Sequence, residues 1–284
     1  MSPNLTVLLS TINEGIENVP NVILDYRKDV SYIVSHQFTK EEFKYIPKEL
    51  ERKDIVISQI YGKGVTKSRN NAIRLARGDI GLFSDDDVTY TNEYFDKVIE
   101  AFRNNNELDV GIFKINTPEG VPEYKKYPLN KMKLEKIPFS IGTIEIAIRV
   151  DRIKVKRILF DERFGAGQEL LIGLDENIFV LDCIKKGLEV CYFPIFIVNH
   201  PIESTAKLLA NFDKRRVALA GAYDARINGI ISIPKAFLGT LRYLPLLIEY
   251  KKNPMIYLIE RLTGAFQIIF SHKDSNTSNK SHIR

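Results

Sequence analysis

The alternation of short apolar runs with helical patterns over the first 200 residues constrains the fold most strongly. Runs rich in branched and aromatic residues that alternate with amphipathic stretches are typical of βαβ units and a mainly parallel sheet. The predicted strands are Thr6–Ser10, Ser31–Ser35, Ile55–Gln59, Ile80–Phe83, Val110–Phe113, Thr143–Ile148, Glu189–Tyr192 and Ile195–Asn199. The predicted helices are Lys40–Tyr45, Thr66–Ala76, Asn92–Phe102, Asp151–Arg157 and Glu176–Lys186. We therefore expect an α/β domain over residues 1–200.

The segment Thr117–Ile137 stands apart from the rest of this domain. It contains Pro118, Pro122 and Pro128 together with many lysines, and this composition predicts a loop. Loops longer than about 12–15 residues are usually functional. We expect this segment to form a loop or lid over a site.

The composition changes after residue 200. The 284-residue chain has a net charge of +5, but residues 201–284 hold 13 Lys and Arg against 6 Asp and Glu, which leaves a net charge of −2 elsewhere. Because the positive charge is confined to the C-terminal third, we expect no nucleic-acid partner. The helical patterns here are Thr205–Leu219, Pro234–Tyr250 and Pro254–Phe270. We predict a basic amphipathic helical extension over residues 201–270 and a disordered tail over residues 271–284.

One of these helical patterns mixes basic and apolar residues. Lys235 and Arg242 stand among Phe237, Tyr243 and Tyr250, a combination typical of helices that lie at a membrane surface. An ordinary helical subdomain or a homodimer interface has the same pattern. The sequence leaves these alternatives open.

Three features bear on location. Cys183 and Cys191 lack a CxxC spacing and cannot form a disulfide framework in a chain of this length, so they fit a reducing compartment. The first ten residues have neither the basic nor the long apolar region of a signal peptide. No run of 18 uncharged apolar residues indicates a spanning helix. We expect a cytoplasmic protein, peripheral on the inner face of the plasma membrane if its C-terminal helices bind lipid.

An acidic triplet follows one of the predicted strands. Ile-Gly-Leu-Phe-Ser at residues 80–84 leads directly into Asp85, Asp86 and Asp87. Adjacent carboxylates repel one another unless a cation or hydrogen-bond donors neutralise them, so the triplet predicts a divalent-metal site. A solvated acidic turn is the alternative. Its place favours the site, because open α/β sheets bind ligands beyond the carboxyl ends of their strands.

A basic, glycine-containing loop lies upstream. Gly-Lys-Gly at residues 62–64 leads into a predicted helix that carries Arg69. Backbone N–H groups at a helix start and cationic side chains together bind anions. The loop is not a Walker A motif, because Thr66 stands where that motif needs glycine. A plain surface loop is the alternative, but beside the acidic triplet the pattern indicates a phosphate and its metal.

The order of these and later motifs resembles family 2 glycosyltransferases of the GT-A fold, in particular the bacterial polysaccharide enzymes. The resemblance covers roughly residues 5–200. Its motifs, in order, are the opening strand, G-x-x-x-x-R-N-x-A at residues 64–72, the Asp-x-Asp element at residues 85–87, F-D-E-x-F-G-x-G at residues 160–167, the G-x-D-x-x-F helix start at residues 173–179, and the strand that leads to His200. It implies a Rossmann-like mixed sheet flanked by helices, with a C-terminal helical extension.

The resemblance also implies a metal and a nucleotide subsite. It gives Asp87 as the main ligand of Mn²⁺ or Mg²⁺, Asp85 as a second ligand closer to the ribose, and His200 as a group that reaches the metal or the diphosphate. Asp86 is the ambiguous middle member. The residues expected to bind the nucleotide-sugar are Thr11, His36, Gln37, Gly64, Ser68, Arg69, Asp85 and Asp86.

The general base is expected at the start of the helix near residue 175. The resemblance matches Asp175 to the aspartate of a Glu-Asp pair, but Leu174 stands where the family has glutamate. Glu176 follows and is the second candidate for the base. The strand that ends at His36 and Gln37 also lacks the family's Asp-Asp-Gly-Ser, so these two residues are the candidates to hold the nucleobase.

The resemblance implies an inverting, metal-dependent glycosyltransferase. A base, a metal site and no protein nucleophile imply a single displacement. The expected donor is a nucleotide-sugar, UDP-linked by preference, and the expected acceptor is a glycan or lipid-linked glycan of a capsule, lipopolysaccharide or other cell-surface polysaccharide. A sugar nucleotidyltransferase is the alternative enzyme, although residues 10–14 lack its glycine-rich signature. Leu174 prompts a third hypothesis, a binding subunit without turnover.

Overall fold

The computed structural model describes residues 4–118, 120–200, 212–271 and 282–283. The chain divides into two compact units. The first comprises Met1–Glu162, Asp175–Ile202 and Asn279–Arg284, and the second comprises Arg163–Leu174 and Glu203–Ser278. The sequence did not predict that Arg163–Leu174 groups with the C-terminal helices. The predicted tail falls mostly on residues outside those described.

A mixed sheet forms the centre of the first unit. Within the described residues it has nine strands in the order β6-β8-β5-β7-β4-β1-β2-β3-β9. The strands β3, β2, β1 and β4 pair in parallel, whereas β7 is antiparallel to both of its neighbours. The strands are β1 Leu5–Ile12, β2 Val30–Phe38, β3 Ile55–Tyr61, β4 Ile80–Ser84, β5 Val110–Asn116, β6 Met132–Lys133, β7 Ile146–Arg149, β8 Val190–Asn199 and β9 His282–Ile283.

The helices begin and end at recognisable signals. The Thr91 side chain accepts a hydrogen bond from Tyr94 N at the start of α3, and Asn253 caps α8, which has Pro254 at its first position. The helices are α1 Val19–Val22, α2 Val65–Leu75, α3 Asn92–Arg103, α4 Val150–Val155, α5 Asp175–Lys185, α6 Lys214–Asn228, α7 Ser232–Glu249 and α8 Pro254–Phe270. These bounds confirm the predicted helices at α2, α3, α4, α5, α7 and α8 to within two residues.

Aromatic packing fixes the elements that carry the site. Phe83 at the end of β4, Phe179 of α5 and Phe160 meet on one face of the sheet. The Phe160 and Phe179 rings stack with centroids 4.3 Å apart, and both meet Phe83 edge-on. Buried aromatic pairs of this kind stabilise the fold by more than the burial of their apolar area alone would. They hold the start of α5 near the carboxyl end of β4.

Four local predictions were wrong in part. The predicted helix Lys40–Tyr45 is the short 3₁₀ turn Glu41–Lys44. The two predicted strands around residues 189–199 form the single strand β8, whose register against β5 shifts near Lys114. The predicted strand at Thr143 begins instead with the 3₁₀ turn Thr143–Glu145. The predicted helix Thr205–Leu219 falls partly outside the described residues, and α6 continues to Asn228.

The second unit is built on a close crossing of α6 and α8. A Cβ added at Gly264 would lie 1.8 Å from the Ala218 carbonyl oxygen, and one added at Gly221 would lie 1.9 Å from that of Arg261. The two backbones can approach this closely because glycine has no side chain. The crossing therefore depends on glycine at both positions.

Candidate active site

The acidic triplet leaves β4 directly after Ser84, as the sequence predicted. The three side chains point to different partners: Asp85 to Arg69, Asp86 to Thr11, and Asp87 to His200. Because each carboxylate has its own donor or cation, their mutual repulsion is reduced. The triplet therefore joins three parts of the first unit at one edge of the sheet.

Asp86 lies beneath the turn that follows β1. Thr11 Oγ1 donates a hydrogen bond of 2.5 Å to Asp86 Oδ2. Burial raises the pKa of Asp86 to about 6, although the bond from Thr11 opposes that shift. A Cβ at Gly15 would come within 2.1 Å of the same carboxylate oxygen. Gly15, which the sequence analysis did not single out, thus lets this turn lie against the triplet.

Arg69 is the centre of the site. Its guanidinium is buried on α2 and lies 2.5 Å from Asp175 Oδ2, 3.2 Å from Glu176 Oε1 and 3.6 Å from Asp85 Oδ1. It also lies over the ring of Phe160, 5.6 Å from the centroid. A single cation thus links the acidic triplet to both candidate bases at the start of α5. The sequence motifs predicted these residues but not their mutual contacts.

The charge balance around Arg69 affects Asp175. One guanidinium faces the carboxylates of Asp85, Asp175 and Glu176, so its positive charge cannot neutralise them all. Burial, together with repulsion from Glu176, raises the pKa of Asp175, although Arg69 opposes that shift. A buried carboxylate with a raised pKa is a better proton acceptor than an ordinary one.

Glu176 has a partner that the sequence did not predict. Thr143 Oγ1 donates a hydrogen bond of 2.5 Å to Glu176 Oε1, and Ile141 N donates to Asn177 Oδ1 at 3.1 Å. The segment before β7 therefore holds the first turn of α5. No motif marks Thr143, because its role depends on the antiparallel placement of β7 in the sheet.

Asp87 and His200 form the part of the site that suits a metal ion. His200 Nε2 lies 3.3 Å from Asp87 Oδ2, and this hydrogen bond lowers the pKa of Asp87. A carboxylate oxygen and an imidazole nitrogen are donors that Mn²⁺ accepts. Asp85, the third predicted ligand, faces Arg69 instead. Within the described residues, no group of three or more His, Cys, Asp or Glu side chains is placed to hold a metal.

His36 and Gln37 end β2 in different environments. The His36 ring is fully buried, with Nε2 3.1 Å from the Asn13 carbonyl oxygen and Nδ1 3.3 Å from Gln59 Nε2. Both ring nitrogens are thus used to join neighbouring segments, and burial lowers the pKa of His36. Gln37 Nε2 is buried and has no hydrogen-bond partner in the described part of the chain. Of the two, Gln37 is the one with an unused donor.

The glycine-containing loop opens α2 as predicted. Gly64 is the residue before the helix, with φ +125°, a backbone conformation that favours glycine. Ser68 does not face this loop, because its hydroxyl donates to the Ser35 carbonyl oxygen at 2.9 Å. The Asn70 side chain exchanges hydrogen bonds with the backbone of Phe160. Of these two neighbouring residues of α2, Arg69 thus belongs to the site, and Asn70 holds the segment at Phe160 against the helix.

The family model described as "Glycosyl transferase family 2" matches residues 6–164 of the chain. A curated relative, "Minor teichoic acid biosynthesis protein GgaB" of Bacillus subtilis (strain 168), is 24% identical over 188 residues. That alignment covers 62% of this chain and 20% of the relative, so the chain spans about a fifth of the relative's length.

Solved structures of S. aureus TarS have the same fold. TarS 1-349 in complex with UDP-GlcNAc matches with a TM-score of 0.54 and 16% identity, over 80% of this chain and 67% of that one. TarS 1-349 in complex with UDP matches with a TM-score of 0.56 and 14% identity, over 99% and 96% of the two chains. These matches confirm the predicted fold class.

Proposed function

The chain belongs to glycosyl transferase family 2, and from that membership we propose that it moves a sugar from a UDP-sugar to a hydroxyl of a cell-surface glycan or lipid-linked glycan, with inversion. The observation that carries this proposal is the contact of Arg69 with both Asp85 and Asp175. This contact supports the proposal because a guanidinium can bind a diphosphate and the neighbouring carboxylate can accept a proton.

The donor site we propose lies between α2 and the acidic triplet. Arg69 and the start of α2 would attract the diphosphate, because helix N-termini and guanidinium groups both favour anions. Asp85 would face the ribose, and Gln37 has an unused donor for the nucleobase. The TarS structures that were solved with UDP and UDP-GlcNAc support a uridine nucleotide.

We assign the general base to Asp175. In the proposed step the acceptor hydroxyl attacks the anomeric carbon as its proton passes to Asp175, and the bond from that carbon to the diphosphate oxygen breaks with its electron pair on the leaving group. Arg69 would stabilise the charge that develops on the diphosphate. One displacement without a protein nucleophile inverts the anomeric configuration.

The residues present fit a divalent cation that the nucleotide helps to hold. Asp87 and His200 supply an adjacent oxygen and nitrogen, and such ions commonly complete their coordination with substrate phosphates. A bound Mn²⁺ or Mg²⁺ would supply positive charge against the leaving diphosphate. This arrangement needs no third protein ligand in the described residues.

The acceptor we propose is a cell-surface polymer of the teichoic acid kind. The curated relative that matches this chain is a teichoic acid biosynthesis protein, and the shared region is a fifth of its length. The proposed reaction would take place on the cytoplasmic side of the membrane.

The second unit would bring the enzyme to that membrane. Many large apolar side chains of α7 and α8 are exposed, including Phe237, Leu238, Leu241, Ile256 and Ile259. By length and composition, the helical stretch Lys214–Glu249 could also cross a membrane, and most of its apolar window is exposed. Lys235 and Arg242 lie on α7, and Lys251 and Lys252 lie in the turn between α7 and α8. Cationic charge beside apolar surface suits anionic lipid.

Vesicle sedimentation tests this membrane contact. The wild-type chain should sediment with vesicles that contain phosphatidylglycerol and less with pure phosphatidylcholine vesicles. A Leu238→Asp, Leu241→Asp variant should lose this binding. If the wild type sediments with neither vesicle but forms a dimer in solution, the apolar face is an interface between two copies.

A transfer assay tests the enzymatic proposal. UDP release from UDP-sugars should require a glycan or lipid-linked acceptor and should fall to background in Asp175→Asn. Asp151→Asn, which changes an exposed carboxylate at the start of α4, is the matched control and should keep full activity. Release of UTP and a sugar phosphate in the presence of pyrophosphate would instead indicate a nucleotidyltransferase. Tight UDP binding without turnover on any acceptor would indicate a binding subunit.

A further inference from the structure

Glu145 is a fully buried carboxylate that the proposed chemistry does not use. It ends the 3₁₀ turn before β7 and has an exposed fraction of 0%. Its Oε2 lies 2.5 Å from both Gly142 N and Lys125 Nζ, and its Oε1 accepts a hydrogen bond of 2.6 Å from the Tyr127 hydroxyl. A buried charge is costly unless it is paired and hydrogen-bonded. Glu145 meets that condition because two residues of the long loop reach it.

The same turn holds the start of α5. Thr143 binds Glu176, and Ile141 binds Asn177. Glu145 therefore belongs to the same turn, residues 140–145, that contacts Glu176 and Asn177 at the start of α5. Any displacement of the turn would move the partner of Glu176.

A residue of the loop between β5 and β7 forms hydrogen bonds to this turn. Lys125 Nζ donates both to Glu145 and to the Ser140 carbonyl oxygen, each at 2.5 Å. Its neighbour Tyr124 packs edge-on against the His200 ring, with centroids 5.8 Å apart. Of these two consecutive loop residues, Lys125 contacts the turn that holds the first turn of α5, and Tyr124 contacts His200.

We propose that Lys125 and Glu145 are positioning residues, which lock the loop onto the 140–145 turn and so fix Thr143 against Glu176 and the first turn of α5. This role rests on the proposed function, since it concerns the geometry of that site. Small displacements of a catalytic group can lower a rate by about 100-fold. The pair should therefore act on turnover more than on nucleotide binding.

The test compares Lys125→Met with Lys126→Met. Lys126 is the next residue of the same loop, is exposed, and serves as the matched control. Lys125→Met should lower kcat by about 10-fold or more, with less than about a 2-fold change in the Kd for UDP. Lys126→Met should match the wild type in both. Glu145→Gln keeps the shape of the side chain and removes its charge, and it should reproduce the loss in kcat.

Hydrogen–deuterium exchange provides a readout that does not need turnover. In Lys125→Met, the amides of residues 140–145 and 175–178 should exchange faster, while those of β1 and β2 stay protected. Unchanged exchange at these positions, or an unchanged kcat in the folded variant, would overturn the positioning role. A wild type without transferase activity whose variant nevertheless shows the faster exchange would count against the proposed function alone.

Discussion

Arg69 and Asp175 are 106 positions apart in the chain and form a buried ion pair of 2.5 Å. Through the same guanidinium, Asp175 is connected to Asp85 at the end of β4. This pair links the two halves of the site, which we propose bind the diphosphate and accept the proton.

Loss of the cation should destabilise the first unit. In Arg69→Met, the carboxylates of Asp85, Asp175 and Glu176 would remain close together without their shared guanidinium. Breaking a buried ion pair by removal of one partner costs about 3–5 kcal/mol. Urea unfolding should show a loss of this size, while Arg74→Met, an exposed change near the end of the same helix, should unfold like the wild type. Equal stability of all three proteins would contradict the central place of Arg69.

Neutralising Asp175 should affect stability in a pH-dependent way. Because burial and Glu176 raise its pKa in the folded protein, the folded state holds its proton to higher pH than the unfolded state, whose carboxyl has a pKa of about 3.9. The free energy of unfolding of the wild type therefore falls as the pH rises from about 3.9 to the higher pKa of the folded state. Asp175→Asn lacks this penalty and should melt at a higher temperature than the wild type at pH 8, with a smaller difference at pH 5.

Thermal unfolding from pH 5 to pH 8 measures this difference. Asp151→Asn is the control, and its melting temperature should follow that of the wild type throughout. An Asp175→Asn variant that is less stable than the wild type at pH 8 would mean that Arg69 holds Asp175 in its charged form at neutral pH.

A methyl group at Gly15 should disturb the acidic triplet. The added Cβ would lie 2.1 Å from Asp86 Oδ2 and 2.6 Å from Thr11 Oγ1, which are bonded to each other. Overpacking of this kind typically costs about 1–3 kcal/mol. Gly15→Ala and Thr11→Val should each weaken UDP binding, and the double variant should lose less than the two losses added together. Strict additivity would show that Gly15 and Thr11 act independently.

The sequence predicted the parts of the site that stand at the ends of secondary-structure elements. Asp85, Arg69 and Asp175 each lie at or near the end of a strand or the start of a helix, where the residue types themselves indicate chemistry. Parallel strands bring such positions to one edge of the sheet. For that reason the acidic triplet and α2 could be assigned to one site before any distance was known.

The rest of the site depends on contacts that no local pattern records. Thr143 and Glu145 reach the site because β7 enters the sheet antiparallel between β4 and β5. Gly15 matters through an approach to a side chain 71 positions further on. For His36 the sequence suggested a role that the contacts do not favour. A histidine at a strand end is a candidate ligand-binding residue, but both ring nitrogens of His36 have protein partners.

Substitution of Gly264 should reverse the usual effect of alanine in a helix. Alanine normally stabilises a helix interior by up to about 1 kcal/mol relative to glycine. At Gly264 the new Cβ would lie 1.8 Å from the Ala218 carbonyl oxygen, so α8 would have to move away from α6. Gly264→Ala should make the second unit more sensitive to limited proteolysis. Gly239→Ala on α7 is the control, because its Cβ would meet only side-chain atoms of Arg261, at 3.1 Å, and no backbone atom.

Calorimetric titration of UDP with and without Mn²⁺ tests whether the acidic triplet and Arg69 form a metal-assisted nucleotide site. Wild type and the Asp151→Asn control should bind UDP about tenfold more tightly with Mn²⁺ than without it, which is an ordinary size for coupling between two ligands. Asp87→Asn should lose this dependence on the metal while remaining folded. UDP binding that is the same with and without Mn²⁺, or an Asp87→Asn variant that keeps the full metal effect, would contradict the account.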